Sequence, residues 1–147
     1  MTRLAWLVAT LGGVGRLRPA PGTVGSAVVL PAVLLGPWWC LALAIAFTLA
    51  GLWALSRLPA AQDDPGWVVV DEAAGQCLAL ACLPAGAGVV SVLAAFALFR
   101  AMDILKPGPV GRADRMGGAL GVMLDDVLAG FFAGIVLLAA RAAGWAG

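Results

Sequence analysis

Five apolar runs separated by short breaks organise the chain: Val24–Gly36, Trp38–Leu55, Trp67–Leu83, Val89–Leu105 and Gly121–Ala140, closed in turn by GP, SRLP, PAGAG, KPGP and Arg141. Each of the last four approaches the ~20 residues, about 17 at minimum, that a helix needs to cross a bilayer. The first run, at 13 residues, is too short to span untilted; it is re-entrant or borrows length from its loop. Ahead of it, MTRLAWLVATLGG has a short apolar stretch after Arg3 and no small-residue cleavage site. This segment is expected as an amphipathic helix at the membrane interface rather than a cleavable signal. The pattern predicts an all-α, polytopic membrane bundle of five or six helices in one domain, residues 1–147, with no internal repeat.

Composition supports that class. The chain is 63% hydrophobic and 12% charged, with a mean hydropathy of +1.01, against roughly 45–50% apolar and 25% charged in soluble domains. The remaining option is a soluble bundle with a very apolar core. Cys40, Cys77 and Cys82 are odd in number and lie in apolar runs, as buried small hydrophobes do. A net charge of +1 leaves no basic stripe for nucleic acid. Oligomeric state is not encoded in any visible pattern.

The basic residues give the orientation. Arg3, Arg16, Arg18, Arg57, Arg100, Lys106, Arg112 and Arg115 fall at one set of run ends; the opposite connections, GPWW and LPAGAG, carry no charge, and only Arg141 dissents. The positive-inside rule makes the crowded side cytoplasmic. Five spans then put the N-terminus inside and the C-terminus outside. Trp38, Trp39, Trp67 and Trp145 at run ends read as interface anchors, and Asp63 and Asp64 as solvated loop charges.

On this topology Asp71, Glu72, Asp103, Asp125 and Asp126 all lie roughly 3–8 Å below the cytoplasmic boundary, at about 1.5 Å per residue. That is the level of lipid phosphates. Carboxylates gathered at one depth need a cation, and oxygen donors in a chain without histidine suit a hard ion, Mg²⁺ first. In VVVDEAAGQ, Asp71 and Glu72 open a run, and Gly75 would admit a close neighbouring helix; the simpler reading is a pair of helix-start acids. In FRAMDILKPGP, Arg100, Asp103 and Lys106 at i, i+3 and i+6 give either an acid for metal and two cations for a phosphate, or an internal Arg100–Asp103 pair with a snorkelling lysine. Asp125 and Asp126 repeat the acid pair. Gly22, Thr23 and Gly25 precede or open a helix, offering N–H groups and a hydroxyl to an anion, or an ordinary helix cap.

Histidine chemistry is excluded, and neither the cysteine-x₅-arginine spacing nor a DxD element is present. Metal-assisted attack of water on phosphorus remains. Asp71 or Asp126 would take the proton from water, with a carboxylate nucleophile left open; Arg100, Lys106 and the Thr23 loop would hold the phosphate. A small cation transporter using interfacial carboxylates is the alternative, although such sites lie near the midplane. A non-catalytic membrane subunit would leave the anion-binding loop unexplained.

Four ordered motifs resemble the phosphatidylglycerophosphatase A family: APGTxGS (Ala20–Ser26), DE-x-x-G (Asp71–Gly75), FR-x-x-D-x-x-KP (Phe99–Pro107) and GxMxDDxxAG (Gly121–Gly130). The resemblance implies a Mg²⁺-dependent helical enzyme of the bacterial cytoplasmic membrane that removes the terminal phosphate of phosphatidylglycerophosphate, its phospholipid substrate. Three departures stand out. Arg18 and Pro19 replace the usual proline and basic residue, Gly108 replaces a tryptophan, and GGALG replaces a histidine-led glycine stretch.

Overall fold

Prolines set several helix starts in the computed structural model, which describes residues 2–61 and 63–145. Pro21, Pro37 and Pro109 open α2 (Pro21–Val28), α3 (Pro37–Leu55) and α6 (Pro109–Asp114), where the missing N–H costs nothing. Among the described residues the other α-helices are α1 (Thr2–Ala9), α4 (Val70–Leu80), α5 (Val89–Leu105) and α7 (Gly118–Ala142), and there is no strand. The all-α bundle is the fold expected. The described α-helices number seven because, beside the expected N-terminal helix α1, the short α6 forms between α5 and α7.

Two apolar runs behave differently from expectation. Val24–Gly36 is a broken helix: α2 stops at Val28 and a 3₁₀ segment continues over Leu30–Leu35. Pro31 has no N–H to continue the ladder, and a 3₁₀ segment climbs about 2.0 Å per residue instead of 1.5. Leu30, Ala32 and Val33 thereby reach the far end of the bundle, packing around Cys40, Leu80 and Leu137. Trp67–Leu83 becomes helical only over the 11 residues of α4, about 16 Å. Its first residues stay outside the helix: the Val68 N–H closes a turn onto the Pro65 carbonyl, and the Val69 N–H donates to the Ala9 carbonyl at the end of α1, both at 2.9 Å.

Of these helices α3 and α7 are long and apolar enough to cross a membrane. Only 28% of the apolar window of α3 is buried inside the protein, whereas the core helix of a soluble protein would be mostly covered. Ile45, Leu49, Val90, Leu93, Phe131 and Ile135 extend the exposed apolar surface over α3, α5 and α7. Contiguous apolar surface of this kind suits an apolar medium rather than water.

The short α4 is the centre of the bundle, packed by α2, α3, α5 and α7. Its contact with α7 is backbone against backbone. A Cβ on Gly75 would strike the Asp126 carbonyl and the Phe99 ring; one on Gly130 would lie 2.9 Å from the Gly75 Cα and closer still to its carbonyl. Small residues allow this approach in an apolar medium, where packing and polar contacts drive helix association.

Gly130→Ala is therefore expected to lower stability in detergent by about 1–3 kcal/mol, the usual cost of overpacking. Gly66→Ala, outside any helix and with open space around it, should change it by less than about 0.5 kcal/mol. Thermal unfolding of the two variants checks this; equal shifts would contradict the contact.

Candidate active site

The α4–α7 contact brings acids of both helices to one place. Carboxylate oxygens of Asp71, Glu72 and Asp126 all lie within 4.8 Å of one another. Asp71 and Asp126 are buried and Glu72 is nearly so. The carboxyl groups of Asp71 and Glu72 meet, and Asp103, from the last turn of α5, meets Asp126. The repulsion of two such charges at 4 Å is about 4 kcal/mol at an effective dielectric of 20. Arg100 supplies one nearby positive charge, its Nη1 lying 2.5 Å from Asp103 Oδ2. Four carboxyl groups around one guanidinium leave a surplus of negative charge. Glu72 Oε2 is buried with no protein partner. All-oxygen donors, an orphaned carboxylate oxygen and this charge surplus fit a hard divalent cation.

The anion side stands directly beside these acids. The Gly22 backbone is pressed against Glu72 so closely that a Cβ there would overlap Oε1, and it would come within 3.4 Å of Arg100 Nη1. The first backbone bond of α2 runs from the Val24 N–H to the Ala20 carbonyl. The Gly22 and Thr23 N–H groups thus precede the helical ladder, as an anion-binding helix start requires. Ser26, fully buried, donates its hydroxyl to the Gly22 carbonyl at 2.8 Å and accepts from Arg100 Nη1 at 3.5 Å. It ties the guanidinium to the loop. Arg100 Nε is buried and has no protein partner, so the guanidinium keeps donor capacity in reserve. Gly25 lies one turn away against Val69, where it lets α2 approach α4.

Asp125 and Lys106 lie elsewhere than expected. Successive helical residues point about 100° apart, so with Asp126 facing α4, Asp125 faces α6. It forms a second acidic group with Asp64 and Asp114, oxygens again within 4.8 Å. Lys106 stands at that group, bonded to Asp125 Oδ2 at 2.9 Å and to Asp114 Oδ1. Partial burial opposes its charge, but the bonds to Asp114 and Asp125 outweigh this and hold the ammonium above its ordinary pKa. Its backbone is left-handed, φ 45, and caps α5 through a bond to the Met102 carbonyl. A cavity of about 340 Å³ is lined by this group together with Asp63, Gly117 and Val122.

Sequence reasoning therefore missed Asp64, Asp114, Ser26 and Gln76. Asp64 had looked like a solvated loop charge. Ser26 carried a usable signal, one helical turn after Gly22 inside APGTxGS. Gln76, one turn after Glu72, is fully buried with neither amide atom bonded to protein.

Comparison with known proteins covers most of the chain. The phosphatidylglycerophosphatase A family model matches residues 7–141. A Bacteroides thetaiotaomicron protein named putative phosphatidylinositol-3-phosphatase is 40% identical over 146 residues, covering 92% of each chain. The phosphatidylglycerophosphatase A of Haemophilus influenzae is 38% identical over 142 residues, 90% of this chain and 86% of its own. That of Escherichia coli is 32% identical over 142 residues, 90% and 81%. No solved structure matches.

The second acidic group makes its own prediction. Lys106→Met strands the buried Asp125 carboxylate, at a cost of about 1–3 kcal/mol, and adding Asp125→Asn should recover part of the loss. Thermal unfolding of the single and double variants measures this coupling. A double variant no more stable than Lys106→Met would show that the ion pair does not organise this end of the protein.

Proposed function

The chain belongs to the phosphatidylglycerophosphatase A family, and on that premise we propose that it hydrolyses phosphatidylglycerophosphate to phosphatidylglycerol and phosphate, with Mg²⁺, at the cytoplasmic face of a bacterial inner membrane. The observation that carries this reading is the trio of buried Asp71 and Asp126 with partly buried Glu72, whose Oε2 is orphaned, directly beside the α2 start and Arg100.

Asp71, Glu72 and Asp126 are the residues that would hold the metal, with Asp103 alongside. Bound there, Mg²⁺ supplies Lewis acidity to the phosphoryl oxygens and makes water a competent nucleophile near neutral pH. The Gly22 and Thr23 N–H groups and Arg100 receive the phosphoryl oxygens, fixing the phosphorus in line with the incoming water. Asp71 or Asp126 accepts the proton that water releases. Ser26 and Asp103 hold Arg100 in place from two sides. Lys106 and Asp125 shape the neighbouring wall through their ion pair instead of meeting the phosphate. The deep ends of α3, α5 and α7 remain in lipid, so the scissile bond enters from the headgroup layer.

A relative at 40% identity bears the name putative phosphatidylinositol-3-phosphatase. Phosphatidylinositol 3-phosphate is therefore the second substrate to test.

Phosphate release in mixed micelles is the direct assay. Wild-type protein should hydrolyse phosphatidylglycerophosphate only with divalent cation present, and Asp126→Asn should abolish turnover while leaving the protein folded. A rate within about tenfold of wild type at saturating Mg²⁺ would remove Asp126 from the metal site, since even residues that merely support ligands typically cost 10–100-fold. Arg100→Lys keeps the charge and loses the planar fork. It should reduce kcat/KM at least about tenfold more than Lys106→Arg, because ~1 Å of misplacement can cost about a hundredfold. Equal small losses would reduce Arg100 to the partner of Asp103.

Orientation has a separate test. In a cysteine-free variant of inside-out vesicles, Ala60→Cys should react with an impermeant maleimide and Ala85→Cys should not. The reverse pattern would overturn the cytoplasmic placement.

A further inference from the structure

Beside the α2 start, away from the acids, lies a second feature that the chemistry above leaves unused. It is a cavity of about 800 Å³ whose lining includes Trp6, Arg16, Arg18, Pro21 and Trp67. Its lining holds two guanidinium groups and no carboxylate, and among the described residues neither arginine forms an ion pair. Both are solvent-exposed. Two unneutralised cations converging on one cavity repel each other unless an anion joins them.

The cavity is also built firmly. The Arg16 guanidinium lies over the Trp6 ring at 5.7 Å, a cation–π contact that orients it. The 3₁₀ turn Val14–Arg16 is pressed onto the approach to α4, where a Cβ on Gly15 would overlap the Trp67 carbonyl. Thr10 fastens the preceding turn by donating to the Trp6 carbonyl at 2.9 Å and accepting from the Gly13 N–H at 3.0 Å. On α1, Trp6 also lines a neighbouring apolar pocket with the exposed Leu7 and with Leu58, suited to the glycerol and acyl end of a lipid.

Position decides what fits. Pro21 lines the cavity, and the next residue, Gly22, touches Glu72 and approaches Arg100. A ligand whose phosphomonoester sits on the α2 start therefore has the Arg16 and Arg18 cavity next to it for its other end. Phosphatidylglycerophosphate has a second anion there: the phosphodiester that joins its glycerol to diacylglycerol. Phosphatidylinositol 3-phosphate shares this layout, a monoester on a polyol held by a diester. Phosphatidic acid does not, since its single phosphate cannot occupy both places.

We propose that Arg16 and Arg18 form a phosphodiester subsite, which selects lipids carrying a phosphomonoester on a polyol spaced from an internal phosphodiester. This inference rests on the phosphatase reading above and assigns the part of the substrate beyond the scissile bond.

The test uses the full chain in detergent micelles and two readouts. In direct titration, phosphatidylglycerol, which retains the diester and lacks the monoester, should bind wild-type protein at least about tenfold more tightly than the Arg16→Gln/Arg18→Gln variant, the scale expected for losing charged hydrogen bonds. In hydrolysis, the same variant should raise KM for phosphatidylglycerophosphate by about tenfold or more with kcat within about twofold, since the contact is made equally before and during reaction. Turnover of phosphatidic acid should not change. The Arg16→Lys/Arg18→Lys variant, with charge but no fork, should fall between. Unchanged phosphatidylglycerol binding, or equal losses on both phosphomonoester lipids, would overturn the subsite. Failure of wild-type protein to release phosphate from phosphatidylglycerophosphate would overturn the proposed reaction instead, and the binding titration would still decide the subsite.

Discussion

The approach of α4 to α7 at Gly75 and Gly130 is the constraint on which the rest of the structure depends. Without a Cβ at either position the two backbones touch, and that spacing alone brings Asp126 to Asp71 and Glu72. An apolar medium offers no hydrophobic gain for pressing helices together. The contact must come from shape and close packing. Packing and electrostatics oppose each other here: the glycines let the helices close in, and ionised carboxylates would push them apart unless a cation joined them. A bound divalent ion would thus act as ligand for chemistry and as a tie between two helices.

Around this pair the remaining elements divide the charges. Arg100 faces both ways, neutralising Asp103 and reaching through Ser26 to the α2 start. Lys106 is committed to Asp114 and Asp125, which holds α6 against α7 and closes one side. Arg16 and Arg18, on the other side, form no ion pair among the described residues. On the proposed reading, α5 and the segment before α2 would present cations to the substrate, while the acids would serve a metal and internal ties. The transporter reading gives way to the phosphatase family, and the acids' place at one end of the bundle agrees with work on a headgroup.

Much of this was legible in the sequence because lipid makes polar residues conspicuous. Asp71, Glu72, Asp103, Asp125 and Asp126 stood out as acids in apolar runs, and their depth followed from the run ends. Gly75 announced close approach by its spacing from Asp71. What could not be read was the partition of neighbours. Asp125 and Asp126 look equivalent in the chain, yet helical rotation sends them to different groups. Asp64 and Asp114 sit in polar segments where any acid looks solvated, and only the left-handed turn at Lys106 and the proline-bounded α6 bring them together. Arg16 and Arg18 registered as charges that set orientation, since nothing local shows that Gly15 presses their turn onto Trp67. The 3₁₀ continuation over Leu30–Leu35 was hidden because its residues are as apolar as any helix.

Titration of Mn²⁺, as a paramagnetic stand-in for Mg²⁺, into purified protein followed by electron paramagnetic resonance tests the metal-holding trio most directly. Wild-type protein should deplete the free-ion signal, and Asp114→Asn, in the lysine-paired group, should do the same. Glu72→Gln and Asp126→Asn should leave the free-ion signal largely intact. Undiminished Mn²⁺ binding in Asp126→Asn, or its loss in Asp114→Asn alone, would contradict a cation held between α4 and α7.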